Sequence, residues 1–247
     1  MKFFLELTDA RVKVVGGNLM SFGKEVIDYA SNLKQITSSD VVVLSPAHKV
    51  NVDEIKYLVG CSILFAGKVP DEVSNSLGRR YINVLDDDNF AIGNSLLTAE
   101  NFLPFIITAT SCSIYDQKIL ITGGGKVAQA LWNIFSRMGV KFTTTMRDEK
   151  QLLLSKIFAE NAFHLRELEG QAKDFDTIIN TIPSKIFGKN IGLKEGASIF
   201  ELSSVKCIDE DPQLNYVSCP ALPAKYSPRT AGNLLWNVIR ETLEVDK

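Results

Sequence analysis

Short apolar runs alternate with stretches of helical spacing along most of the chain, the rhythm of a parallel α/β protein. The fullest unit runs from Lys118 to Arg147. Lys118-Ile-Leu-Ile-Thr122 has the composition of a buried strand and passes directly into Gly123-Gly124-Gly125. From Lys126 the apolar positions Val127, Ala130, Leu131, Ile134, Phe135 and Met138 take helical spacing, Gly139 stops the helix, and Val140 to Thr145 starts a second strand. Earlier in the chain, Arg11-Val-Lys-Val-Val15 predicts a strand ending at Gly16-Gly17, and Phe22 to Leu33 a helix. Strands at Asp40 to Leu44, Ser62 to Ala66 and Arg80 to Val84 alternate with helices at Val52 to Val59 and Pro70 to Leu77. The apolar segment from Asn101 to Thr110 predicts a helix bridging two domains, N-capped by Thr98. Beyond Arg147, strands are expected at Ala162 to His164, Thr177 to Pro183, Ala197 to Leu202 and Tyr216 to Pro220. The last helix, Thr230 to Val245, is amphipathic and should pack back on the first domain, with Thr230 as its N-cap. The expected fold is α/β, with two Rossmann-like parallel-sheet domains. Residues 1–97, completed by 230–247, form the first, and residues 98–229 the second.

Gly123, Gly125 and Ala128 fill a G-x-G-x-x-G/A pattern between strand and helix. The first glycine permits a tight turn, the second lets a pyrophosphate approach the backbone, and the small third residue lets helix and strand pack closely. The phosphates would sit at the helix N-terminus, on Gly123, Gly124, Gly125, Lys126 and Val127. Dinucleotide binders selective for NAD carry an acid at the end of the second strand, but this chain reads Thr144-Thr145-Met146-Arg147. Arg147 with Thr145 and its neighbour suits a 2′-phosphate, so NADP is expected in preference to NAD. Asp148 and Glu149 fall where first-turn acids of a following helix belong. Thr181-Ile182-Pro183 ends a strand at the carboxyl edge, where an open parallel sheet binds its ligand. Gly16-Gly17 never completes a second phosphate pattern and reads as a sheet-edge turn.

Composition narrows the classes of partner. Of 247 residues, 45% are hydrophobic and 23% charged, and the net charge of -2 speaks against nucleic acid or an anionic membrane. No apolar run is read as long enough for a membrane span, and early acids interrupt the N-terminal apolar stretch, so a cytoplasmic protein is expected. Four dispersed cysteines and two histidines lack metal-ligand spacing, so no metal site is expected. Asp86-Asp87-Asp88 reads as a solvated turn.

Ile179-Asn180-Thr181-Ile182-Pro183, together with Pro220-Ala-Leu-Pro-Ala-Lys225-Tyr-Ser-Pro-Arg229-Thr-Ala-Gly232, resembles the signature of the nucleotide-binding A subunit of dipicolinate synthase. Asp87 to Glu100 resembles that family's segment before its bridging helix, and the likeness extends from about Arg11 to Leu243 with a shortened first domain. The resemblance implies NADP-linked redox chemistry on a dihydrodipicolinate-type precursor of the lysine pathway, in the step that forms dipicolinate during sporulation. It implies location in the sporulating mother cell and a flavoprotein-like partner, the B subunit of dipicolinate synthase. The family's Arg-Pro-Gly-Gly loop is replaced by Val205-Lys206-Cys207-Ile208, which affects the substrate more than the fold.

A planar dicarboxylate needs cations, for which Lys225 and Arg229 are candidates. Asn94, Ser95 and Ser204 are candidate hydrogen-bonding residues for the substrate, and Glu100, expected partly buried at a cleft, is the candidate acid or base. Two other readings stay open: a reductase of another small carboxylated imine or keto acid, and a non-catalytic NADP-binding scaffold. Assembly as a homo-oligomer stays open beside pairing with the B subunit.

Overall fold

The computed structural model describes residues 1–188, 192–209 and 214–245. The chain divides into two compact units, Met1–Asn94 with Pro223–Lys247, and Ser95–Leu222.

The first unit runs β1 (Phe3–Leu5), α1 (Ala10–Ser21), β2 (Val26–Asp28), α2 (Tyr29–Asn32), β3 (Val41–Val43), α3 (Val52–Leu58), β4 (Ile63–Ala66), α4 (Asp71–Leu77) and β5 (Tyr81–Asn83). The long helix α5 (Asp88–Thr108) leads into β6 (Ile119–Thr122), α6 (Lys126–Met138), β7 (Phe142–Met146), α7 (Glu149–Ser155), β8 (Asn161–His164) and α8 (Leu168–Gln171). Then follow β9 (Thr177–Asn180), β10 (Ser198–Glu201), β11 (Asn215–Ser218), α9 (Leu222–Tyr226) and α10 (Pro228–Leu243). Both sheets are wholly parallel, ordered β2-β1-β3-β4-β5 and β11-β10-β9-β6-β7-β8. These are the flavodoxin-like and dinucleotide-binding doubly wound orders. The final helix packs on α1 within the first unit, burying Leu235, Trp236, Val238 and Ile239 in that core.

The start of the chain departs from expectation. Arg11 to Val15 is helix, and the first strand is Phe3–Leu5. Asp9 accepts the Arg11 amide as N-cap, and Val12, Val15, Gly16 and Leu19 form the buried face of α1. Gly16 is therefore no turn: a Cβ there would lie 3.3 Å from Leu5 Cδ2, so its small size lets α1 approach β1. The expected helix from Phe22 to Leu33 holds β2 and a single helical turn instead.

Helix α5 begins at Asp88, thirteen residues before the expected start at Asn101, so Thr98 is a buried mid-helix residue rather than an N-cap. Asp87 performs the capping, accepting the Phe90 amide at 2.8 Å. At 21 residues α5 is long and apolar enough to cross a bilayer by length and composition, contrary to the expectation that no run is. Phe90 is buried in the first unit's core, and Ala99, Phe102 and Ile106 in the second's. Helix α10 starts at Pro228 after Ser227, which places Thr230 inside the first turn and not at the cap.

A charged knot joins the carboxyl ends of β1 and β3. His48 Nδ1 lies 3.0 Å from Glu6 Oε2, and its Nε2 lies 3.2 Å from Glu54 Oε2. Glu6 also accepts the Ser45 amide at 2.8 Å, and the Ser45 hydroxyl donates to Asp9, itself paired with buried Arg11. The Tyr29 ring meets the His48 ring edge-on. Hydrogen bonding to Glu6 raises the pKa of His48; burial opposes this, and Glu54 reinforces it. A raised folded pKa gives stability that is full below the unfolded value of about 6.5 and lost as pH rises through the folded value. The urea midpoint of this unit should therefore fall as pH rises above about 6.5, and His48→Gln should flatten that dependence. An unchanged slope in the variant would remove His48 as its source.

Candidate functional site

The carboxyl edge of the second sheet is built around the glycine turn. All four residues of β6 are buried, and the chain leaves the strand at Gly123 with φ +98°, a conformation that L side chains rarely adopt. The Gly123 amide donates to the Thr145 carbonyl at 2.8 Å. A Cβ on Gly123 would meet Thr181 Oγ1 at 2.5 Å and Ile182 Cγ1 at 3.1 Å. The turn and the segment after β9 are thus brought into contact by the absence of a side chain. At Gly124 a Cβ would meet Gln151 Oε1 at 2.2 Å, while the Gly124 carbonyl accepts from Gln129 Nε2 at 2.8 Å.

Gly125 is the N-cap of α6, with no side chain capping the helix and open space where its Cβ would stand. Exposed Lys126 and half-buried Val127 begin the helix, and buried Ala128 allows it to pack against the sheet. A pyrophosphate fits this end of α6: the helix dipole is positive there and the backbone is accessible.

At the end of β7, Arg147 is exposed and Asp148 is used as the N-cap of α7, accepting the Gln151 amide. The threonines do not accompany Arg147. Thr144 donates to Ser155 Oγ at 2.9 Å inside the core, and the Thr145 hydroxyl is fully buried. Alternation along β7 sends these two side chains to opposite faces of the sheet, and both faces are covered here, so both are buried and Thr145 shapes the site through its carbonyl. Thr181 donates to the Thr122 carbonyl at 2.7 Å, leaving Ile182 half-buried and Pro183 exposed.

The expected substrate residues are more scattered. Asn94 and Ser95 lie inside α5 rather than in a preceding loop, and Ser95 is buried. Glu100 sits on the exposed side of the same helix, so the partial burial expected of it is absent. Ser204 is exposed in the loop after β10; Lys225 and Arg229 are exposed on α9 and in the first turn of α10, where a loop was expected. Among the described residues, no group of three or more His, Cys, Asp or Glu side chains is placed to hold a metal.

Sequence reasoning passed over Asn180 as a side chain and Glu201 altogether. Both are buried polar residues at the last position of a strand, each following two apolar residues. Asn180 Oδ1 accepts from Thr122 Oγ1 at 2.5 Å and from the Ile182 amide at 3.1 Å, while its Nδ2 donates to Glu201 Oε1 at 2.7 Å. A polar residue closing a strand at its carboxyl edge, directly after two apolar ones, is the signal that was available in the sequence.

No protein-family model matches the chain. The dipicolinate synthase A subunit of Bacillus subtilis (strain 168) is 25% identical over 222 residues, covering 86% of this chain and 71% of that protein. The crystal structure of dipicolinate synthase, A chain, from Bacillus subtilis superposes with a TM-score of 0.76 at 21% identity, over 96% of this chain and 94% of that one. The NAD-complexed D-isomer specific 2-hydroxyacid dehydrogenase of Lactobacillus delbrueckii ssp. bulgaricus gives a TM-score of 0.63 at 14% identity, over 100% and 97%.

Proposed function

We propose that this chain, a diverged relative of the dipicolinate synthase A subunit, is an NAD(P)-dependent oxidoreductase that uses NADP and forms dipicolinate from a dihydrodipicolinate-type cyclic precursor. The observation that carries the reading is the glycine turn. Gly123 at φ +98° leads to an uncapped α6 whose Gly125 leaves the backbone open, in a sheet of dinucleotide-binding strand order. The cofactor supplies hydride chemistry; the protein supplies placement and electrostatics. Gly123 to Val127 hold the pyrophosphate, Arg147 pairs with the 2′-phosphate, and Thr181 to Pro183 border the dinucleotide. Lys225 and Arg229 are the carboxylate partners of the substrate, with Arg229 offering the bidentate fork. Asn94 and Ser204 are retained as polar contacts of that substrate. Exposed Glu100 is assigned no proton transfer. The flavoprotein-like B subunit is the proposed partner, in the cytoplasm of the sporulating cell.

A second reading, a reductase of another small carboxylated imine or keto acid, is favoured by one feature. Val205 and Lys206 are exposed in the loop after β10, where the resembled family carries Arg-Pro-Gly-Gly.

Thermal-shift titration with NADP and NAD tests the cofactor. Ligand at 100 times its dissociation constant stabilises by about 2.7 kcal/mol, which is readily seen as a rise in Tm. Arg147→Ala should weaken NADP by roughly tenfold, the worth of a charged hydrogen bond, and leave NAD unchanged. Equal effects on both nucleotides would remove Arg147 as the selector. Dipicolinate formation with NADP and the B subunit then separates the two substrates, and failure to form it favours the reductase.

A further inference from the structure

The strand ends of the second sheet carry a buried polar row. Thr145, Thr122, Asn180 and Glu201 occupy matched positions on the adjacent strands β7, β6, β9 and β10. All four are buried. Glu201 is the one carboxylate of the row and is 2% exposed. Its Oε1 accepts from Asn180 Nδ2 at 2.7 Å and the Ser203 amide at 3.0 Å. Its Oε2 accepts from the Cys207 amide at 2.8 Å and the Tyr216 hydroxyl at 3.3 Å.

A buried carboxylate is costly, and an apolar residue would serve the core as well or better. The identity of Glu201 is explained by what it binds. Ser203 and Cys207 bracket the first stretch of chain after β10, residues 203–207. Asn180, oriented by Glu201, holds both the amide and the carbonyl of Ile182 in the segment after β9. One side chain thereby sets two carboxyl-edge loops, and the Cys207 thiol beside it is pushed up in pKa by burial and by the carboxylate, consistent with an inert packing role.

Strand order gives these loops a function. The adenosine half of a dinucleotide lies toward β7, where the ribose is read, and the pyrophosphate crosses at α6, so the nicotinamide half falls over β9 and β10. We propose that Glu201 is a positioning residue that fixes the two loops receiving the nicotinamide half of the cofactor. This rests on the cofactor reading above.

The test compares NADP with 2′,5′-ADP, which carries only the adenosine half, by isothermal titration. Glu201→Gln puts an amide NH₂ among hydrogen-bond donors and should weaken NADP by about tenfold while leaving 2′,5′-ADP unchanged. Glu201→Asp, which keeps the acceptors on a shorter stem, should recover part of the loss and carries the comparison if the glutamine variant does not fold. Amide hydrogen exchange without nucleotide should quicken in residues 181–184 and 203–207 but not in 123–128. Equal weakening of both ligands, or unchanged exchange in the two loops, overturns the proposal. If the wild-type chain binds neither ligand, the cofactor reading fails and takes the proposed role with it. Altered exchange would then still report the loop anchoring.

Discussion

Gly123→Ala is expected to reduce dinucleotide binding by about ten- to a hundredfold, the worth of a lost hydrogen bond to a charged group. Two effects act together. The backbone at φ +98° is strained for any residue with a Cβ, at a cost of about 1–3 kcal/mol. The added methyl would also stand 2.5 Å from Thr181 Oγ1, which is held by its bond to the Thr122 carbonyl. Thr181 can yield only by giving up that bond or by moving the segment ahead of Ile182. Either change reaches the surface on which the dinucleotide is proposed to lie. Gly139→Ala provides the control: it too has positive φ, +73°, but nothing lies within 4 Å of its Cβ position. It should cost about 1 kcal/mol of stability and leave nucleotide affinity intact. Titration calorimetry with matched thermal melts separates the two, and wild-type affinity in Gly123→Ala would show that the turn does not touch the cofactor.

The second sheet was legible where an apolar pair or run stands ahead of a glycine or proline stop, as at Ile119–Thr122 before Gly123 and Ile178-Ile179 before Pro183. Lys118 to Gly125 contains both signals within eight residues. The first two strands were hidden for a physical reason. β1 and β2 have only three residues each, and the helix between them opens with Arg-Val-Lys-Val-Val, whose alternation imitates a strand. Local β-branched composition favoured extension; the Asp9 cap and burial of Val12, Val15 and Leu19 on one face determine a helix. The site was legible where backbone chemistry defines it, as at Gly123 to Gly125. It was hidden where side chains from distant strands converge: Glu201 and Asn180 are 21 residues apart, and their bond follows from strand register. The His48 knot is similar, joining Glu6 and Glu54 across 48 residues of chain.

Gly232→Ala should destabilise the first unit, although alanine is ordinarily the better helix former by about 1 kcal/mol. Gly232 lies in α10 against α1, and a Cβ there would stand 2.5 Å from Val14 Cβ and 2.8 Å from the Arg11 carbonyl oxygen. The obstacle is partly backbone, so the two helices must separate and loosen the packing around Leu235 and Ile239. Overpacking of this kind costs about 1–3 kcal/mol, which outweighs the propensity gain. Gly17→Ala, on the exposed side of α1 with nothing within 4 Å, experiences propensity alone and should stabilise by roughly 0.5–1 kcal/mol. The chain has two tryptophans, Trp132 in the second unit and Trp236 in the first. In a Trp132→Phe background, urea unfolding followed by Trp236 fluorescence therefore reads the first unit selectively. Opposite shifts in midpoint from the two glycine substitutions are expected. A stabilised Gly232→Ala chain would mean that α1 and α10 do not approach as closely as their glycine contact requires, and the burial of α10 in the first unit would have to be reconsidered.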